Sequence, residues 1–323
     1  MSKKALRIVY MGTPEFAVAP LKKLVEEGYT IAGVITAPDK PAGRGKIIRY
    51  SAVKQYALAH GLQLMQPDKL RNEAFISELK SLNPDLQVVV AFRMLPEVVW
   101  SIPPIGTFNL HASLLPDYRG AAPINWAIIN GETETGLTSF LIDQQIDTGR
   151  ILLQKKMPIY ENDNAGSLHD RMMKEGADLV LKTIEALETG TVSPLPQDQV
   201  MPDHAPKPAP KIRKEDCRID WTMEGRCIQN FIRGLSPYPG AFSILDRNEK
   251  GELLFKVFES SYIPESHTFQ PGAISTDHIS YIHVAAKNGW ISIKVLQQSG
   301  KKALPVEQFL MGFRFRTSSD LFF

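Results

Sequence analysis

The chain has 323 residues, 43% of them apolar and 22% charged, with 37 Lys and Arg against 35 Asp and Glu for a net charge of +2. That length suits about two domains, and the composition is that of an ordinary soluble globular protein. No apolar run approaches the ~20 residues a membrane-spanning helix needs, and Cys217 and Cys227 form neither a disulfide framework nor a metal-binding spacing. Both cysteines read as small, partly buried side chains in a reducing cytosol.

The opening MSKKALRIVYMG has a basic pair, but its apolar part is too short for a signal peptide, so it reads as a tail running into a first strand. LRIVYMG is a compact apolar run of the buried-strand kind. Thr13 then offers an N-cap and Pro14 a first helical position for AVAPLKKLVEEG, which stops at Gly28. TIAGVIT is a strand, and PDKPAGRGKIIR a loop. SAVKQYALAHG is a helix capped by Ser51 and stopped at Gly61. LQLMQP, NEAFISELKSLNP and DLQVVVAF give strand, helix and strand. This alternation implies a parallel, doubly wound sheet, whose ligands sit at the carboxyl ends of the strands.

IGTFNLHA is the next strand, APINWAIINGE a helix, TGLTSFLID and DTGRILLQKKMPI two further strands. SLHDRMMKEGADLVLKTIEALETG is the longest helix, opening at Ser167 and closing at Gly190. SPLPQDQVMPDHAPKPAPKIRKED, with repeated proline and few large apolar residues, reads as a semi-extended linker. It sets a boundary near 206–210, giving a first domain of 1–206 and a second of 207–323. Beyond it GRCIQNFIRGL is helical, and AFSILD, LLFKVFESSYI, GAISTD, YIHVAAK and WISIKVLQQ have the short spacing of a small antiparallel barrel or sandwich. Residues 207–323 hold 16 Lys and Arg against 12 Asp and Glu. That bias fits contact with a polyanion and fits chance equally.

MGTPEF follows the first strand where a dinucleotide fold would place G-x-G-x-x-G, but only one glycine is present, which argues against a pyrophosphate site. PDKPAGRGKIIR carries Lys40, Arg44, Lys46 and Arg49 against Asp39. It is either a solvated loop or a basic arm that orders against phosphates.

NLHASLLPDYRG, residues 109–120, is the richest stretch. On a strand, Asn109 and His111 point to one face. An amide can donate to a developing oxyanion and an imidazole can carry a proton near neutral pH, although a lone histidine is more often structural. Asp143 and Asp147 in LIDQQIDTGRIL are candidates to orient the imidazole, since a nearby carboxylate favours its charged form. As turn residues before Thr148-Gly149 they are equally ordinary. There is no G-x-S-x-G elbow, no cysteine in the N-terminal half and no metal-ligand spacing. A substrate group, not an enzyme nucleophile or a metal-bound water, is therefore expected to make the attack.

NLHASLLPDYRGAAPINWAIINGE followed by TGLTSFLIDQQIDTGRIL resembles the folate-dependent formyltransferases. MGTPEFAV, PDKPAGRGK and DWTMEGRCIQNFIRGLSPYPGAF extend the resemblance over nearly the whole length. It implies an α/β fold: a Rossmann-like domain with a parallel sheet and no dinucleotide, followed by an OB-like β-barrel that binds tRNA. The implied reaction moves a formyl group from 10-formyltetrahydrofolate to the α-amino group of methionyl initiator tRNA, with no covalent enzyme intermediate and no metal.

By the same resemblance Asn109, His111 and Asp147 are catalytic. Ser113, Leu114, Leu115 and Pro116 contact the folate, and Arg44 and Lys46 reach the tRNA acceptor end. The protein is expected to be a cytoplasmic monomer without membrane contact. One departure stands out: the family has an aromatic-Gly pair after VVVA, and here Arg93 occupies the glycine position. Alternative readings are a formyltransferase for a small amine, such as a glycinamide ribonucleotide or an amino sugar, a formyl-folate hydrolase, and a non-catalytic RNA-binding protein built on the barrel.

Overall fold

LRIVYMG forms most of β1 (Lys4–Gly12) in the computed structural model, which describes residues 4–42, 47–246, 252–316 and 320–322. The chain divides into two compact units. The first comprises Met1–Gly120, Glu134–Pro158 and His169–Pro208. The second comprises Ala121–Thr133, Ile159–Leu168 and Ala209–Phe323.

The first unit follows β1 with a 3-10 turn and α1 (Val18–Glu26), then β2 (Tyr29–Ile35), β3 (Lys40–Ala42), β4 (Ile47–Arg49), α2 (Ala52–Ala59) and β5 (Leu64–Met65). Next come α3 (Glu73–Ser81), β6 (Leu86–Val90), α4 (Glu97–Trp100), β7 (Gly106–His111) and the short β8 (Arg119–Gly120). The expected caps of α2 and α3 form: Ser51 accepts from the Lys54 amide, and Asn72 from the Phe75 amide. Thr13, in contrast, does not cap the first helix. Pro14 precedes a 3-10 turn over Glu15–Ala17, and α1 begins only at Val18, without a side-chain cap. The lone glycine of MGTPEF serves close packing: a Cβ on Gly12 would lie 2.5 Å from the Ala17 Cβ and 3.0 Å from the Val90 carbonyl.

After α5 (Pro123–Ile129), which belongs to the second unit, β9 (Glu134–Leu141) and β10 (Ile151–Pro158) complete the first sheet. Its strand order is β10-β9-β7-β6-β1-β2-β5. β7, β6, β1, β2 and β5 run parallel, as the alternating pattern implies. β9 and β10 instead form an antiparallel hairpin added to the edge of β7. Residues 142–150 join the two strands, and an antiparallel pair needs no helical crossover, which parallel strands do. β6 is buried at every position, and Val9, Met11, Ile35, Val89 and Phe75 share one apolar cluster.

α6 (Ala165–Glu188) is the longest helix. It opens two residues before Ser167, with Asn164 and Ser167 exchanging side-chain-to-backbone hydrogen bonds as a reciprocal cap. Its glycine permits a close crossing of β7, since a Cβ on Gly176 would lie 2.8 Å from Leu110.

Beyond β11 (Pro208–Ala209) and α7 (Gly225–Gly234), the second unit holds β12 (Ala241–Asp246), β13 (Glu252–Ile263), β14 (Ile274–Thr276), β15 (Ile282–Ala286), β16 (Gly289–Gln298), β17 (Leu304–Pro305) and α8 (Val306–Gly312). The sheet is antiparallel, in the order β12-β13-β16-β15-β14, with β17 on β16. Leu321 and Phe322 join its two edges: Phe322 bridges to Leu245 of β12, and Leu321 to Ala273 beside β14. Phe255 lies at the centre of the enclosed core, edge-on to Phe309, Phe313 and Phe322. Cys217 is buried there, which raises the pKa of its thiol, whereas Cys227 is exposed, contrary to the expectation of two partly buried cysteines. Among the described residues no helix is long and apolar enough to cross a membrane.

His283 on β15 is held below the ordinary histidine pKa by burial first and by Lys294 second, with Glu265 and Asp277 pulling the other way. A group depressed on folding contributes stability above its unfolded pKa, about 6.5, and loses it as pH falls. The thermal midpoint of the protein is therefore expected to fall between pH 7 and pH 5, and the His283→Gln variant to show a shallower fall. Equal slopes in a calorimetric pH series would contradict this.

Candidate active site

β7 alternates as its sequence suggests. Phe108 and Leu110 are buried on one face, while Asn109 and His111 share the other at the strand's carboxyl end. Val90, the last residue of β6, stands opposite Leu110, and Gly12, the last of β1, stands opposite Val90. The ends of three parallel strands therefore meet here, where open α/β sheets bind ligands. Asn109 is partly buried, and its amide makes no hydrogen bond to the described residues.

His111 is only 6% exposed. Its Nε2 lies 2.8 Å from the Tyr118 carbonyl. A carbonyl can only accept, so Nε2 carries the hydrogen. Tyr118 adopts the left-handed conformation, with φ of 60°, and its own amide donates to the Lys207 carbonyl at 2.6 Å. Nδ1 is thereby the ring's free edge, and it faces Asp147 Oδ2 at 3.9 Å. That separation is beyond a direct hydrogen bond.

The two acids of LIDQQIDTGRIL divide clearly. Asp143 is a turn residue, accepting from the Gln145 amide at 3.0 Å and the Thr148 hydroxyl at 2.8 Å. Asp147 turns inward and accepts from the Gly120 amide at 2.9 Å. Asp147 itself sits in the left-handed region, with φ of 56°. Gly149 lets this turn lie against β9, because a Cβ there would fall 1.6 Å from the Leu141 carbonyl.

The stretch after His111 is tied down from the sheet. The Thr138 hydroxyl donates to the Ser113 carbonyl at 2.7 Å and accepts from the Leu115 amide at 3.1 Å. Gln154 donates to the Leu115 carbonyl at 2.8 Å, and the Ser113 hydroxyl donates to the Asp117 carbonyl at 2.6 Å. Ser113, Leu115 and Pro116 are buried, and Leu114 is partly exposed. Among the described residues no group of three or more His, Cys, Asp or Glu side chains is placed to hold a metal.

The base of the basic loop is also fixed. Lys54, 9% exposed, donates to Asp39 at 2.5 Å, and Gln66 donates to the other carboxylate oxygen of Asp39 at 2.9 Å. The Lys54 hydrogen bond, then that of Gln66, holds the Asp39 carboxyl below the usual range. Arg44 and Lys46 lie outside the described residues. Arg93 bends away to the β5 side, donating to the carbonyls of Asp68, at 2.9 Å, and Pro67. The left-handed residue at the end of β6 is Ala91, with φ of 46°, so the backbone at 93 has no conformational need for glycine.

Sequence reasoning missed Gln197, which lies in the stretch read as a linker. It is only 4% exposed and donates to the carbonyls of Asp147, at 2.9 Å, and Gly149, at 2.8 Å. Its sequence signal is slight: it is one of two glutamines, with Gln199, in a proline-rich run that has no period to interpret.

Fold and site together define an α/β domain with polar side chains gathered at the ends of its parallel strands, followed by an antiparallel sheet domain. The chain belongs to the formyl transferase family: the model of the formyl transferase domain matches residues 6–184, and that of the formyl transferase C-terminal domain matches residues 211–314. It is 54% identical over 313 residues to a methionyl-tRNA formyltransferase of Bacteroides fragilis, covering 97% of each chain. It is 51% identical over 318 residues to one of Flavobacterium johnsoniae, covering 98% of this chain and 99% of that protein. Among solved structures, the fold is similar to that of WlaRD, a sugar 3N-formyl transferase. The TM-score is 0.62 at 20% identity, over 93% of this chain and all of that one. HypX from Aquifex aeolicus, solved in complex with tetrahydrofolic acid, also has a TM-score of 0.62 at 20% identity, over 95% of this chain and 47% of that one.

Substituting Gly149 by alanine is expected to force the Asp147 turn off β9 and to cost about 1–3 kcal/mol, the usual range for overpacking. Urea unfolding of the Gly149→Ala variant measures this, and an unchanged midpoint and slope would contradict the close approach.

Proposed function

We propose that this chain transfers the formyl group of 10-formyltetrahydrofolate to the α-amino group of methionyl initiator tRNA, acting as a cytoplasmic monomer. The observation that carries the reading is the pairing at the end of β7. An uncommitted Asn109 amide stands beside a buried imidazole whose Nε2 is engaged by Tyr118 and whose Nδ1 faces Asp147 at 3.9 Å. The names of the full-length relatives supply the acceptor.

The acceptor amine attacks the formyl carbon, a C–N bond forms, and the carbonyl oxygen takes up negative charge. The C–N10 bond then breaks, and a proton lost by the amine replaces the formyl group on N10. Asn109 donates its amide hydrogen to the oxyanion. His111 acts at Nδ1, donating to the oxyanion and relaying the proton, while its Nε2–H stays on the Tyr118 carbonyl. Asp147, facing Nδ1, keeps the ring oriented. At 3.9 Å the gap between Nδ1 and Oδ2 is too narrow for a heavy atom on the line between them, so a group that touches both lies to one side of that line.

Ser113, Leu114, Leu115 and Pro116 form the wall for the folate. Ser113, Leu115 and Pro116 are buried, and Ser113 and Leu115 are also hydrogen-bonded in place, which suits a rigid wall, while Leu114 offers the accessible surface. Residues 1–206 carry the chemistry, while the more basic 207–323 and the loop with Arg44 and Lys46 hold the tRNA. Lys54 and Asp39 give that loop a fixed root.

Incubation with 10-formyltetrahydrofolate and methionyl initiator tRNA is expected to yield formylmethionyl-tRNA. Release of free formate without it would instead indicate hydrolysis. Removal of one oxyanion donor costs about 10²–10³ in rate, so Asn109→Ala and His111→Ala are each expected to lower kcat by that factor while remaining folded. Near-normal kcat in both would refute the assignment. Binding of tRNA should weaken steeply with salt, and Arg44→Ala should reduce both the affinity and its salt slope. A salt-independent Kd would remove phosphate contact from the reading.

A further inference from the structure

Gln197 opens a 3-10 turn, Gln197–Val200. Both hydrogens of its side-chain amide are used, on the main-chain carbonyls of Asp147 and Gly149. Its Oε1 accepts from Arg119, with Nε at 3.1 Å and Nη2 at 2.5 Å. The residue after Arg119 is Gly120, whose amide donates to the Asp147 carboxylate. The bonds therefore close a ring: Gly120 to the Asp147 side chain, the Asp147 backbone to Gln197, and Gln197 back to Arg119.

Asp147 needs such a ring. It occupies the left-handed region, which non-glycine residues adopt seldom and Asp and Asn more readily than most, so the turn gains from being held by its neighbours. Two carbonyls of one turn, those of Asp147 and Gly149, converge on a single site, and only a group with two N–H donors on one atom satisfies both. A carboxylate of the same shape would set its own oxygen against them. The amide's opposite end takes the guanidinium, so each polar atom of Gln197 has one orientation that works.

We infer that Gln197 is a positioning residue, which holds the Asp147 turn so that its carboxylate faces His111 Nδ1. This rests on the role proposed for Asp147 and His111. Gln197 touches no reacting atom and acts through Asp147 alone.

The test uses the full-length protein with 10-formyltetrahydrofolate and methionyl initiator tRNA. Gln197→Met removes both donors. Gln197→Glu keeps the shape and the Arg119 contact while losing the donors, and it carries the test if the methionine variant does not fold. Misplacing a catalytic group by about 1 Å can cost about 10²-fold in rate. Gln197→Met is therefore expected to lower kcat by about 10–100-fold, with KM for both substrates changing less than about threefold.

The decisive measurement is a double-mutant cycle with Asp147→Asn. If Gln197 acts through the carboxylate, Gln197→Met costs less than about threefold in the Asp147→Asn background, whereas a general structural role gives the full loss in both backgrounds. Additive losses, or wild-type kcat in both Gln197 variants while His111→Ala is impaired, would overturn the inference alone. Wild-type rates in His111→Ala and Asn109→Ala would overturn the reading of the site, and the inference with it.

Discussion

The hydrogen bond between His111 Nε2 and the Tyr118 carbonyl, 2.8 Å long, is the constraint around which the first unit's site is arranged. By engaging one ring nitrogen with a group that cannot donate, it puts the hydrogen on Nε2 and leaves Nδ1 as the single open edge of the imidazole. The left-handed turn at Tyr118, the anchoring of that residue to Lys207 and the burial of the ring are the means by which the main chain holds this bond in place. Nδ1 is the edge left over, and the acid that faces it, Asp147, is delivered by the β9–β10 connection.

The elements that positioned this site were legible wherever a strong period or an unambiguous cap was present. β6 is apolar at nearly every position and is a central strand. Ser51 and Asn72 cap α2 and α3, and the two-residue spacing of Asn109 and His111 places them on one face. Strand direction was less legible. TGLTSFLID reads equally well parallel or antiparallel, because hydrophobic pattern reports burial and not chain sense. Spacing alone did not choose between Asp143 and Asp147, and it was the family resemblance that named Asp147. Both precede Thr148-Gly149, and only the three-dimensional turn shows one tied to Thr148 and the other to Gly120.

Proline-rich composition was a poor guide at residues 193–210. Prolines signal a chain without regular hydrogen bonding, but they do not signal a chain without contacts. Gln197 is buried in that segment and saturated with partners. Arg93 is the converse case, a residue conspicuous in sequence and unremarkable in place. Its guanidinium serves the carbonyls of Pro67 and Asp68, and the strand end that required a special conformation found it at Ala91.

The second unit carries its own lesson in how its sheet is sealed. Phe322 and Leu321 bridge β12 and the residue ahead of β14, joining edges that are far apart in sequence from them. Without those two bridges, the main chain at Leu245 and Ala273 would lack its strand partner, and unpaired strand edges are the kind of template that invites pairing with another chain. Residues 321–322 therefore work as a seam that withdraws those two edges from neighbouring chains.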